Sequence, residues 1–263
     1  TDMLNVFDAD GFTHGNQNAI GRNTDNYVAW NWKAGGTAVS NTDGSITSSV
    51  SANTTAGMSV VTWTNHNVTV GHGLSQAPEL IIIKDRSATT SWLVYSEPVG
   101  NGHTLFLNST NAQDNGTTYF NSTSPTSSVF SVGTGIGGST DNYLAYCFHS
   151  VEGYSKVGSY TGNSNADGPM FYCGFKPSWA MFKATGSAQS WIVFDNKRNV
   201  YNLMDNSLFP DLSDAENDAT SLSIDFVSNG IKIRSAHNYV NYSGSDYLVL
   251  AFAESPFKTS NAR

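Results

Sequence analysis

Apolar residues fall in short runs rich in Val, Ile, Tyr, Phe and Trp, and clusters of Gly, Asn, Pro and Ser break them at roughly 8–12-residue intervals, the rhythm of sandwich and barrel proteins. The longest runs, Leu80–Ile83 and Tyr247–Ala253, have strand length. No long stretch carries the 3.6-residue period of an amphipathic helix. At Asp211–Glu216, Ser213 and Glu216 have capping-box spacing, which a short helix or a polar loop would satisfy equally. The pattern predicts an all-β chain built from sandwich-like units, jelly-roll or lectin-like in kind.

The runs also recur. Ser91-Trp92 precedes Leu93-Val94-Tyr95, and Ser190-Trp191 precedes Ile192-Val193-Phe194, at an offset of 99 residues. Pro78–Lys84 answers Pro177–Lys183 at the same offset, and Trp63-Thr64-Asn65 answers Tyr160-Thr161-Gly162. Each unit closes on a similar strand, Asp141–Phe148 or Ser245–Phe252. A third closing strand, Asp25–Trp32, has no unit before it, but its lead-in Phe7–Phe12 matches Phe226–Ile231, with Asp-Gly or Asn-Gly supplying a tight hairpin turn. The expected organisation is closing strands of a truncated unit at 1–36, a Gly/Ser/Thr/Asn-rich linker at 37–57, and two tandem repeats at 58–152 and 153–263. A lone hairpin is marginal in water, so residues 1–32 are expected to pair with an edge of the first unit or with another subunit.

Composition narrows the function classes. Thirteen Lys+Arg against 21 Asp+Glu give a net charge of −8, so no basic surface for nucleic-acid phosphate is expected. The apolar runs fall short of the roughly 20 residues a spanning helix needs, so no membrane insertion is expected. The first residues, Thr1–Val6, lack the layout of a secretion signal and do not begin with Met, which reads as a piece of a longer protein. Cys147 and Cys173 sit among aromatics, the setting of buried free thiols, although one bridge would also fit two cysteines.

The chemistry-bearing residues are dispersed. Gly73–Ala77 fails as a nucleophile elbow at its last position. The six histidines show no metal spacing, and Gly133–Gly138 precedes a strand, which makes it a loop and not a phosphate cradle. Asp85, Glu97, Asp195 and Asp225 are the carboxylates a glycosidase would draw on, but no pairing follows from sequence. Asp211, Asp214, Glu216 and Asp218 cluster as oxygen donors for Ca²⁺, against a solvated acidic loop. No catalytic residue and no cofactor is expected beyond that calcium candidate. Tyr119, Tyr201, Tyr239 and Tyr242, with His237 and Asn238, lie in polar, loop-like stretches. Rigid rings beside Asn and Ser are a composition by which loops recognise sugars, and these six are the candidate ligand-binding residues.

Several motifs together resemble a known family. They are Tyr27–Gly36, Ser40–Ile46, Val70–Leu74 with Ala77-Pro78, Gly158–Asn163 with Asp167-Gly168-Pro169, and Ala251–Lys258 with Asn261-Ala262-Arg263. The combination is similar to the C-terminal repeat module of tail-fibre and receptor-binding proteins of marine tailed bacteriophages. One departure is Thr64-Asn65-His66, where a Gly-containing turn like Thr161-Gly162-Asn163 is typical. The resemblance implies an extracellular, virion-exposed adhesion module in a homo-oligomeric fibre, with a trimer as the expected state and binding rather than turnover as the expected activity; a polysaccharide-degrading tailspike-type enzyme and a purely architectural fibre or filament subunit are the alternatives. Its implied partner is a host cell-surface glycan or envelope component.

Overall fold

The computed structural model describes residues 3–257, which fall into two compact units meeting between Lys33 and Ala34. Both are built from antiparallel strands, and none of the helical segments exceeds four residues. No helix among the described residues is long and apolar enough to cross a membrane.

In the first unit, β1 (Leu4–Phe7) and β2 (Phe12–His14) form a two-stranded hairpin. Its turn lies at the Asp8–Gly11 segment, where the Asp8 N–H donates to the Gly11 carbonyl at 2.9 Å. A single helical turn, α1 (Asn18–Gly21), follows. Asp25–Trp32, expected as a closing strand, belongs to no sheet. The pattern alone does not make a strand, because the ladder that defines one needs neighbouring backbones. Where the same pattern recurs in the second unit, a strand flanks it on each side.

In the first half of the second unit, β3 (Val39–Asn41), β4 (Ser48–Asn53), β5 (Met58–Thr64), β6 (Val68–Gly71), β7 (Leu80–Asp85), β8 (Leu93–Ser96) and β9 (Leu105–Phe106) come first. They are followed by α2 (Thr117–Phe120), β10 (Val129–Val132), a 3-10 turn at Thr134–Ile136 and β11 (Asn142–Phe148). A seven-stranded sheet runs β3-β4-β5-β11-β7-β8-β9, and β10 pairs with β6. Alternation sends Val61, Trp63, Ile81, Ile83, Tyr143 and Ala145 inward against Val70, Phe130 and Val132. Residues 37–57, read as a linker, instead supply β3 and β4. Val50 is buried and the Ser48 hydroxyl donates to the Gly71 carbonyl at 2.7 Å. Small and hydroxylated inward side chains suffice there because β4 lies beside β5, next to the sheet's outer strand β3.

The second half contains β12 (Ser155–Thr161), β13 (Met170–Tyr172), β14 (Pro177–Ala184), β15 (Ile192–Asp195), β16 (Ile224–Val227), β17 (Gly230–Ile233), α3 (Asn238–Asn241) and β18 (Asp246–Ala253). Its sheets run β12-β18-β14-β15 and β13-β17-β16, reproducing the β5-β11-β7-β8 order and the β6-β10 pair. Register is reproduced too: Tyr143 stands opposite Trp63, and Tyr247 opposite Tyr160. Both pairs stack, at 5.4 Å and 5.1 Å between ring centroids. The Ser-Trp segments behave alike: the Trp92 N–H donates to Asn108 Oδ1 at 2.9 Å and the Trp191 N–H to Asp211 Oδ1 at 3.1 Å.

The halves are joined by more than the chain. Leu80, Ile82 and Phe148 on one outward sheet face, and Leu248, Leu250 and Phe252 on the other, are all buried, and Phe148 meets Phe252 edge to face at 6.1 Å. Polar ties run across as well. Trp191 Nε1 donates to the Phe106 carbonyl at 2.8 Å, Lys183 Nζ to that of Thr110 at 2.9 Å, and the Gln113 N–H to that of Thr185 at 2.8 Å. Cys147 and Cys173 are free and buried, and desolvation pushes both thiols up to about 12.

Candidate functional site: matching cavities at the heads of the central strands

The entry to each central strand is fixed by a tyrosine hydroxyl. Tyr247 Oη accepts the Tyr242 N–H at 2.7 Å and donates to the Asn238 carbonyl at 2.6 Å, clasping α3 onto β18. Tyr143 Oη donates to the Gly138 carbonyl at 2.7 Å at the start of β11. Desolvation and the nearby Asp85 hold its phenol at about 12, so it remains a donor. The first unit repeats the Tyr247 clasp with identical spacing: Tyr27 Oη accepts the Arg22 N–H five residues back and donates to the Asn18 carbonyl nine back, across α1. Residues 18–27 thus share their clasp with residues 238–247.

Beside these clasps, on the outward face of each sheet, lies a cavity. The first, about 350 Å³, is lined by Ser40, Ser49, Thr62, Thr64, Arg86 and Asn142 among others. Register explains the lining: Ser40 opposes Ser49, Ser49 opposes Thr62, and Thr64 opposes Asn142. Asn142 is anchored by Ser87, whose Oγ accepts its backbone N–H at 2.9 Å and its Nδ2 at 3.3 Å.

The second cavity, about 430 Å³, occupies the matching corner, lined by Ser159, Thr185, Ser245 and Asp246, with Pro98, Val99 and Gln113 of the first half as its far wall. Thr161 Oγ1 donates to Asp246 Oδ1 at 2.6 Å, and Thr185 Oγ1 to the Asp246 carbonyl at 3.2 Å. Thr62 corresponds to Ser159, Arg86 to Thr185 and Asn142 to Asp246 in the two ladders. Hydroxyls, amides and one carboxylate facing an open hollow are groups suited to binding polyols through hydrogen bonds.

The six sequence-picked residues are only partly brought together. His237, Asn238, Tyr239 and Tyr242 surround α3, with His237 as its N-cap: Nδ1 accepts the Tyr239 N–H at 3.2 Å. The Tyr239 ring packs against His237 and Phe209, at 4.7 and 5.8 Å, and is half-buried. Tyr242 projects outward, as does Tyr201, which is 82% exposed. Tyr119 packs edge to face on Phe106 at 6.0 Å, and burial, then the neighbouring Asp114, raises its phenol. Neither Tyr119 nor Tyr201 makes a hydrogen bond or ring contact with the α3 group among the described residues.

The acids have local partners. Asp85 Oδ1 accepts the N–H groups of Ser87 and Ala88, and Asp195 Oδ1 those of Lys197 and Arg198. Asp225 lies 3.4 Å from Arg234. Of the calcium candidates, Asp211 accepts from Trp191, and Glu216 meets Arg198 and Asn206. Asp214 and Asp218 face solvent. The 211–216 segment forms turn and loop, without a helix. Among the described residues no three His, Cys, Asp or Glu side chains gather as a metal site.

Sequence reading missed the cavity residues. The signal was there in the paired tripeptides Thr62-Trp63-Thr64 and Ser159-Tyr160-Thr161, whose outer members share a sheet face while the middle ring turns into the core.

A family model described as a domain of unknown function, DUF7483, matches residues 1–256, and the chain belongs to that family. No curated protein and no solved structure matches the chain.

Proposed function

We propose that this chain is an adhesion module of a virion tail fibre, extracellular and multivalent, that binds a host-surface glycan without transforming it. The observation that carries this reading is the pair of open polar cavities at equivalent sheet corners. Such hollows offer many modest hydrogen bonds, and two per chain raise the effective concentration of one another's ligand. Assembly into a homo-oligomer, a trimer in our reading, would multiply that gain. The aromatic group around α3 adds a flat apolar surface of the kind on which sugar rings rest. A glycan array probed with the wild type and with a T62V/S159A variant tests the proposal. Retained neutral-oligosaccharide binding by the variant would sink it, and so would accumulation of shortened oligosaccharides during incubation.

A second reading, a subunit whose surfaces join only copies of itself, is favoured by one observation. Residues 3–27 carry the hairpin, helical turn and tyrosine clasp that in the second half lead directly into a central strand, whereas 25–32 lie in no sheet. Insertion of this segment into another subunit would supply its ladder. Light scattering of residues 34–263 decides: an oligomeric state equal to that of the full chain rules out strand donation.

A further inference from the structure

The two cavities match in position but not in charge. Among the described residues, Arg22 faces Asp25, Arg198 faces Asp195 and Glu216, and Arg234 faces Asp225, whereas the Arg86 guanidinium has no carboxylate and no side-chain hydrogen bond. In a chain with 21 acidic residues and 13 basic ones, a solitary arginine is the exception. It lines the first cavity beside Thr62, Thr64 and Asn142, and its backbone is fixed by donation of its N–H to the Asn142 carbonyl at 2.7 Å. The equivalent corner of the second half carries Thr185 and Asp246, and no cation lines that cavity.

We infer that the first cavity is selective for a saccharide bearing an anionic group, carboxylate or sulfate, which Arg86 grips while the surrounding hydroxyls hold the ring, and that the second cavity takes a neutral one. The inference rests on the glycan-binding reading and refines it. A guanidinium presents a planar fork of donors that pairs two oxygens of a carboxylate or sulfate at once, a geometry a neutral polyol does not exploit. Asn142 keeps its carbonyl oxygen for a sugar hydroxyl, since Ser87 takes only an N–H of its amide. Asp246 at the matching place repels an anion, so the duplicated corner divides the labour by charge.

The experiment titrates the full chain with α-1,4-linked trigalacturonate, its carboxyl-reduced trigalactose counterpart, and a sulfated galactose trisaccharide, by calorimetry at two salt concentrations. Two variants accompany the wild type: Arg86→Thr, which copies the second half, and Asn142→Asp, which copies its acid. Both positions are exposed, and thermal melts confirm that each variant folds. The expected result is at least tenfold tighter binding of an acidic trisaccharide than of the neutral one, weakened by salt and lost in both variants, with neutral binding retained. The carboxylate and sulfate arms show which anion fits. Equal affinity of wild type and Arg86→Thr for the acidic probes overturns the inference while leaving neutral binding, and the adhesion reading, in place. Failure of every saccharide to bind the wild type removes both.

Discussion

Replacing Tyr247 with phenylalanine removes one oxygen from a fully buried ring and leaves its stacking on Tyr160 intact. That oxygen makes two short hydrogen bonds, to the Tyr242 N–H at 2.7 Å and the Asn238 carbonyl at 2.6 Å. Each contributes a net ~0.5–1.5 kcal/mol, and an orphaned partner costs more only where water cannot reach it. Asn238 and Tyr242 are exposed residues, so hydration limits the penalty, and Tyr247→Phe should cost about 2 kcal/mol. Tyr143→Phe removes one bond, to Gly138, and should cost about half that, near 1 kcal/mol. Equilibrium urea unfolding of the two variants beside the wild type measures both, with an unchanged denaturant slope showing that compactness is preserved. The reasoning is refuted if Tyr143→Phe proves the more damaging, or if Tyr247→Phe leaves the midpoint where it was.

Alkaline stability tests the buried thiols. Both have folded values near 12 against 9.0 unfolded, so the unfolded chain loses these protons first and stability falls as pH rises past 9. Relative to a C147A/C173A variant, the wild type should lose about 2 kcal/mol between pH 9 and 10, about 1 kcal/mol per thiol, because the unfolded thiols are already half ionised at pH 9. Arg198→Ala breaks close contacts with Asp195 and Glu216 and should cost about 2–3 kcal/mol in a thermal melt, whereas Arg22→Ala, at the exposed pair with Asp25, should cost under about 0.5 kcal/mol. Trp191→Phe withdraws the indole N–H from the Phe106 carbonyl. It should lower the unfolding free energy by about 1–3 kcal/mol and quicken proteolysis near residue 110.

The strands were legible where ring and β-branched residues alternate with polar ones. Trp63, Phe194 and Tyr247 announced their elements because large inward side chains leave a period of two in the chain. The place of the Asp8–Gly11 turn was legible from its Asp-Gly pair, but the loop spans four residues and neither Asp10 nor Gly11 takes the positive φ of a two-residue hairpin turn. β3 and β4 were not, since Ser48, Val50 and Ala52 fill their inward positions with little bulk and the stretch looks like a linker. Asp25–Trp32 failed in the opposite sense: its pattern is that of a strand, but a strand is a relation between backbones, and one segment cannot carry both sides. The candidate site was obscured by abundance. Ser, Thr and Asn occur everywhere in this chain, so only register separates Thr62 and Asn142, which share a cavity, from the same residue types in loops. Aromatic rings drew the reading to α3, and one of them, Tyr239, is largely committed to packing.

The three polar ties between the halves have a mechanical meaning. Trp191, Lys183 and Gln113 cross the junction in different places, so the halves resist hinging and the hollows keep a constant gap. A loosely tethered pair would accept any polymer carrying two epitopes. If the hollows bind glycans as proposed, a stiff pair would act as a gauge, engaging both sites only on polymers whose repeat length is commensurate with that gap, and would select by periodicity as well as by chemistry.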